Sequence, residues 1–217
     1  MRNLALATTA FAALASATMG NRVRSDITRG AGVRALALVW SLAVLATAPP
    51  VARAADASDP HDTLTRYARH TWASFVAMTD ARSGLPTDRL RRDGARSVQT
   101  SITNIGTYLW STLVAEELGF LRHDEAVTRL RRTLRTLERM DRHAPSGQFF
   151  EWYDHRSGAT LTAWPDSGDP LVPILSSVAN GWLATGLHLV RQRVPELAAR
   201  AGALFDRMNF GFYYRGY

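Results

Sequence analysis

The stretch TNIGTYLWSTLVAEEL, residues 103–118, is apolar nearly all the way round a helical wheel. Ile105, Leu109 and Leu113 make one stripe, and Trp110, Val114 and Leu118 make another. A helix of this kind is buried on most sides. The segment after Gly119 reads differently. Over residues 124–142 a single stripe of Val127, Leu130, Leu134 and Leu137 faces inward, while Arg129, Arg131, Arg132, Arg135 and Arg139 take the other side as a solvated face. Asp124 is the expected N-cap of that helix. The pattern then repeats. Residues 177–191 are apolar on several sides, through Val178, Trp182, Leu183, Leu187, Leu189 and Val190. The helix opening at Pro195 has one main stripe, with Glu196, Arg200, Asp206 and Arg207 outside. A first helix over 61–78, carrying Leu64, Tyr67, Ala68, Thr71, Trp72 and Phe75, stops at Ser83-Gly84-Leu85-Pro86 and gives way to an Arg-rich loop that runs to about residue 101. Buried, surface, buried, surface is the order of helical hairpins nested as two concentric rings. The expected fold is all-α, an α/α toroid; an ordinary antiparallel bundle is the competing arrangement.

Between residues 145 and 173 the helical period vanishes. Two extended pieces, 148–153 and 160–163, flank a turn at Arg156-Ser157-Gly158, which predicts a small β-hairpin over 148–164. Within it GQFFEWYD, residues 147–154, sets Phe149, Phe150, Trp152 and Tyr153 around the carboxylates of Glu151 and Asp154. Rings stack on the apolar faces of sugars, and acids accept hydroxyl hydrogen bonds or move protons. A satisfied turn, with Asp154 bonded to its own loop, is the plain alternative. Trp152 and Tyr153 alternate along an extended chain, so one faces a cleft and the other the core. Trp110 and Trp182 read as core.

The 217 residues include no cysteine, which excludes disulfides and Cys-based metal sites. The net charge of +7 resides mostly in the first 54 residues, where six Arg face one Asp. The remaining 163 residues are nearly balanced, so attraction to nucleic acid is not expected. Arg22, Arg24, Arg29 and Arg34 precede an apolar core at 35–48, followed by Pro49-Pro50 and Ala52-Arg53-Ala54. That is the layout of a secretory signal peptide, with translation starting at Met19 as one explanation of the second apolar run at 4–18. The core is short for a membrane span, so the expected product is secreted and keeps no stable span once the signal is removed. The six histidines are scattered, and no HExxH, P-loop, nucleophile elbow or dinucleotide fingerprint occurs, so neither metal nor cofactor is expected. Asp166-Ser167-Gly168-Asp169 is read as a turn.

Four segments together resemble the glucoamylase-like family of (α/α)6-barrel proteins, which includes endo-β-1,2-glucanases and the barrel domains of cyclic β-1,2-glucan synthases. They are TWASF (71–75) with SGLP (83–86), TSITNIGTYL (100–109), EWYD (151–154) and LSSVANGWLA (175–184), in a region spanning roughly 62–217. The resemblance implies a secreted glycoside hydrolase acting on a β-glucan, with β-1,2-glucan among the family's substrates, by inversion, in which one carboxylic acid protonates the departing oxygen and one carboxylate activates water. It places Asp154 and Glu151 as catalytic acids. Trp152, Tyr153, Thr103, Asn104, Ser176, Ser177 and Asn180 fall among the substrate contacts, with helix capping as the competing role of the polar ones. The chain departs from the family pattern at Ile102, Glu151, Asn209 and, above all, at Ala179, where an Asp is usual. A non-catalytic glycan-binding descendant is therefore the second reading. The five helices read here make an incomplete ring of the (α/α)6 type, and five of the last eight residues are aromatic, so a truncated product is also expected.

Overall fold

The computed structural model describes residues 59–214. The signal-peptide segment, Met19 included, lies outside them. Helix α1 spans Pro60–Met78; Asp59 caps it by accepting the His61 N–H at 3.0 Å, and Pro60 occupies the first turn. Strand β1, Gln99–Ser101, is buried throughout and runs straight into helix α2, Ile102–Glu117. The cap of α2 is Ser101, whose hydroxyl accepts the Asn104 N–H at 3.2 Å, rather than Thr103 or Asn104. Helix α3 spans His123–Leu137. Its N-cap position is Arg122, not Asp124; Asp124 lies in the first turn, where a carboxylate opposes the positive end of the helix dipole. Strand β2 is Trp152–Asp154. Helix α4, Ser177–Arg193, is followed by a 3-10 turn at Pro195–Leu197, helix α5 at Ala198–Phe205, and a second 3-10 turn at Phe210–Tyr213.

Helices α2 and α4 share the largest interhelical interface. Two glycines set its depth. A Cβ on Gly106 would stand 2.5 Å from the Trp182 carbonyl oxygen, and one on Gly186 would stand 2.6 Å from the Gly106 oxygen. The two backbones touch, which no other residue type permits. Around this pair, α1 and α3 pack on α2 and α5 packs on α4. The outer helices present single stripes, as with Ala126, Val127, Leu130, Leu134 and Leu137 of α3. The five helices of the described residues thus form two inner members backed by three outer ones, an arrangement that fits part of an α/α toroid. The expected solvated face of α3 is only partly so: Arg135 is exposed, whereas Arg129 is half-buried and lies 5.7 Å over the Trp72 ring of α1.

The β structure differs from the expected hairpin. β2 pairs antiparallel with β1, in the register Gln99↔Asp154, Thr100↔Tyr153 and Ser101↔Trp152. Residues 153 and 160 meet only in a single bridge. The buried backbone of 99–101 requires hydrogen-bond partners, and β2 supplies them.

The connections share one device, used four times. At Ser83-Gly84, Ser146-Gly147, Ser157-Gly158 and Ser167-Gly168 the glycine has a positive φ and its N–H bonds the carbonyl four residues earlier. In each, the serine hydroxyl accepts the N–H two residues on, at 3.0–3.3 Å. A bridge closes every loop, at Thr79↔Pro86, Arg142↔Phe149, Tyr153↔Thr160 and Ala163↔Pro170.

Candidate functional site

The heads of the two inner helices open at the same end, and the β1–β2 pair lies across them. Glu151 is fixed there by its backbone. Its carbonyl accepts the Ile102 N–H of α2 at 3.3 Å, and its own N–H donates to the Ile174 carbonyl, just ahead of α4, at 3.0 Å. One residue therefore ties both inner helix heads through its backbone, and its side chain is half-buried.

Asn180, wholly buried in the first turn of α4, locks the approach to Glu151. Its Oδ1 accepts the Phe149 N–H at 2.9 Å, and its Nδ2 donates to the Phe149 carbonyl at 2.9 Å and the Ser176 carbonyl at 3.0 Å. Asn180 thus sets the position of the chain two residues before Glu151 and presents nothing of itself at the surface. Ser176 caps α4 by accepting the Ala179 N–H at 3.1 Å, while Ser177 is exposed beside it. On the other side of Phe149, Arg142 packs its guanidinium 4.2 Å from the ring centroid. Burial, with the neighbouring charge of Arg207, pulls the Arg142 pKa down to about 10.

On β2, Trp152 and Asp154 share one face and Tyr153 takes the other. Tyr153 is 0% exposed, its hydroxyl donating to the Asp141 carbonyl at 2.6 Å and accepting the Phe150 N–H at 2.8 Å. The expected sugar contact at Tyr153 is therefore corrected: it is a core residue, and burial raises its pKa well above the ordinary phenol range. Trp152 is the half-exposed ring, set edge-on to Trp164 with centroids 5.4 Å apart. Asp154 is half-buried, and its Oδ1 accepts the Arg156 and Ser157 N–H groups at 2.7 and 3.4 Å. One of its oxygens belongs to the turn, which leaves Oδ2 for any other partner.

At the head of α2, Thr103 is half-buried. Asn104, also buried, donates from Nδ2 to Asp88 at 3.1 Å, and the Asp88 N–H bonds the Gln99 carbonyl at 2.8 Å. Asp88 is a further polar group at this end that pattern reading passed over, since it sits in the Arg-rich loop and its partner is sixteen residues away. Arg89 carries the network on to Asp166 at 3.3 Å. Ala179 is buried at 2% exposure.

Trp110 and Trp182 pair edge to face at 5.2 Å; Trp110 is half-buried and Trp182 is 37% exposed on the outward face of α4, next to Val178 at 70%, so neither is wholly core. A separate cavity of about 480 Å³, bounded by Val76, Asp80, Tyr108 and Arg129, lies between α1 and α3 and includes none of Glu151, Trp152, Asp154, Asn104, Ser176 or Asn180. Among the described residues no group of three or more His, Asp or Glu side chains could hold a metal ion, and no helix is long and apolar enough to cross a membrane.

Over 144 residues the chain is 33% identical to Cyclic beta-(1,2)-glucan synthase NdvB of Rhizobium meliloti (strain 1021), an alignment covering 64% of this chain and 5% of that protein. Its fold is similar to that of a candidate glucoamylase from Bacteroides caccae, with 21% identity, a TM-score of 0.60, and coverage of 72% of this chain and 39% of that one. It is similarly close to an endo-beta-1,2-glucanase from Chitinophaga pinensis solved with sophorotriose and glucose, with 21% identity, a TM-score of 0.59, and coverage of 71% and 38%. The chain spans well under half of each solved structure and a small part of the synthase. Those structures establish a glucoamylase-like fold, and the family described as Protein of unknown function (DUF3131) matches residues 66–211; the chain belongs to that family.

Proposed function

We propose that the chain is a domain of a secreted, β-glucan-directed glycoside hydrolase, with a β-1,2-glucan as its substrate class. The observation that carries this is Glu151, tied by its backbone to the heads of α2 and α4 beside the half-exposed Trp152. A ring that can stack on a pyranose and a carboxylate beside it are the parts a saccharide cleft needs. The relatives support the polymer class, since one is a β-1,2-glucan synthase and another a β-1,2-glucanase. Glu151, and Asp154 through Oδ2, supply the acids for inverting hydrolysis. Thr103, Ser176 and Ser177 offer hydroxyls, while Asn104 and Asn180 act from behind by holding Asp88 and Phe149. The first 54 residues serve as the export signal, which N-terminal sequencing of the exported chain would check.

Ala179 favours the second reading, a glycan-binding domain without turnover, because a methyl group occupies the position where the family resemblance expects an acid. The two are separated by incubating the purified chain with linear β-1,2-glucan and resolving the products by chromatography. Oligosaccharides released by the parent and lost in Glu151→Gln establish hydrolysis. Binding without release establishes the second reading, and absence of both removes the glucan assignment.

A further inference from the structure

We propose that Tyr213, in the aromatic stretch after α5, is a saccharide-contacting residue that closes one wall of the cleft beside Glu151; this rests on the function proposed above. The chain leaves α5 through Met208, which is buried, and is then fastened to the 143–149 loop. The Asn209 N–H donates to the Ser146 carbonyl at 2.8 Å, and Gly147 lies so close to the Arg207 backbone that a Cβ there would collide with its carbonyl oxygen. Phe212 then packs on His143 at 5.0 Å, edge-on to Tyr213 at 5.9 Å. These contacts return the 3-10 turn Phe210–Tyr213 to the loop that feeds Phe149 to Glu151, and they carry the Tyr213 hydroxyl to the head of α4.

The hydroxyl lies 3.5 Å from Asn180 Nδ2. The two hydrogens of that amide already serve the Phe149 and Ser176 carbonyls, so this contact is shared and weak. The phenol therefore keeps its own hydrogen and a lone pair for a ligand. Partial burial, reinforced by the nearby Glu151 charge and opposed by the Asn180 contact, raises the Tyr213 pKa above the ordinary phenol value. Tyr213 thus stays a neutral donor across the physiological range. A half-buried ring with an uncommitted hydroxyl next to a carboxylate offers an apolar face and a directed hydrogen bond, the pairing that an uncharged sugar requires.

The test compares the parent chain with Tyr213→Phe, and with Tyr67→Phe as a remote exposed control. Affinity for a β-1,2-linked glucotriose is measured by calorimetry. Tyrosine-ring NMR signals are followed in the same titration, the Tyr213 signal being assigned as the one missing from Tyr213→Phe. The expected result is about fivefold weaker binding by Tyr213→Phe, the size of one lost hydrogen bond, with Tyr67→Phe unchanged and the Tyr213 ring signal moving on sugar addition. Equal binding by Tyr213→Phe and parent overturns the inference and leaves the proposed function standing. Weaker binding with an unmoved Tyr213 signal also overturns it, because the contact would then be indirect. A parent chain that binds no glucan removes the proposed function and this inference with it.

Discussion

The Tyr153 hydroxyl joins two stretches of backbone, the Asp141 carbonyl and the Phe150 N–H, from inside the core. Tyr153→Phe keeps the ring and leaves both backbone groups short of that partner. The expected loss is about 1–3 kcal/mol of unfolding free energy, read from urea melts; a loss below about 0.5 kcal/mol would show that water replaces the hydroxyl. Alternation along GQFFEWYD told that one of Trp152 and Tyr153 points inward. Which one does is decided by β1, far back in the sequence, whose pairing turns Tyr153 into the core. That choice is non-local and could not be read from the eight residues. Asp154 was more legible, because an Asp three residues before a Ser-Gly pair is the composition of a self-bonded turn, and Asp80 shows the same arrangement through Arg82 and Ser83. Asp88 carried no local sign at all, since only the folded path of the Arg-rich loop brings it to Asn104.

At the scale of elements, the five helices were legible because burial on all sides and burial on one stripe leave different periodic marks. Their depth of contact was not, since a glycine in a helix carries no label saying what lies opposite. Gly106 and Gly181 separate the two effects. Gly106→Ala drives a methyl to 2.5 Å from the Trp182 carbonyl, so a destabilisation of about 1–3 kcal/mol is expected despite the better helix propensity of alanine. Gly181 has open space around its Cβ position, and Gly181→Ala should stabilise α4 by up to about 1 kcal/mol. Thermal and denaturant unfolding of both variants checks the signs. If Gly106→Ala is also stabilising, the contact between α2 and α4 is looser than their backbones indicate. The strands failed as a sequence reading for a related reason: periodicity shows that 148–153 is extended, but not that 99–101 lies beside it.

Across the whole molecule, His123 ties separate parts together. Its Nδ1 lies 2.7 Å from Glu116 at the end of α2, and its Nε2 lies 3.0 Å from Glu196 in the 195–197 turn. Both nitrogens donate only when the imidazole is protonated. The bonds to Glu196 and then Glu116 raise the His123 pKa. The contribution of the tie is therefore complete below the ordinary imidazole value of 6.5 and fades as pH climbs through the raised folded value. The His123 bond holds the Glu196 pKa below its ordinary 4.5, so the acid-side contribution is present above 4.5 and is lost as pH falls through that lowered value. Denaturant melts across this range should show His123→Ala removing part of the alkaline decline in stability. The effect is modest because all three side chains are partly solvated. An unaltered slope in the variant would mean that solvent screens the tie completely. The serine-glycine turns differ in their reach: Ser83, Gly84 and Ser146 also bond distant segments, whereas Gly168 has nothing near its Cβ position and its turn is closed by the Gly168 and Asp169 N–H groups within its own few residues. At that one clasp the tip can be rewritten while the helices beneath it stay put, whereas rewriting the other three would pull on distant parts of the fold.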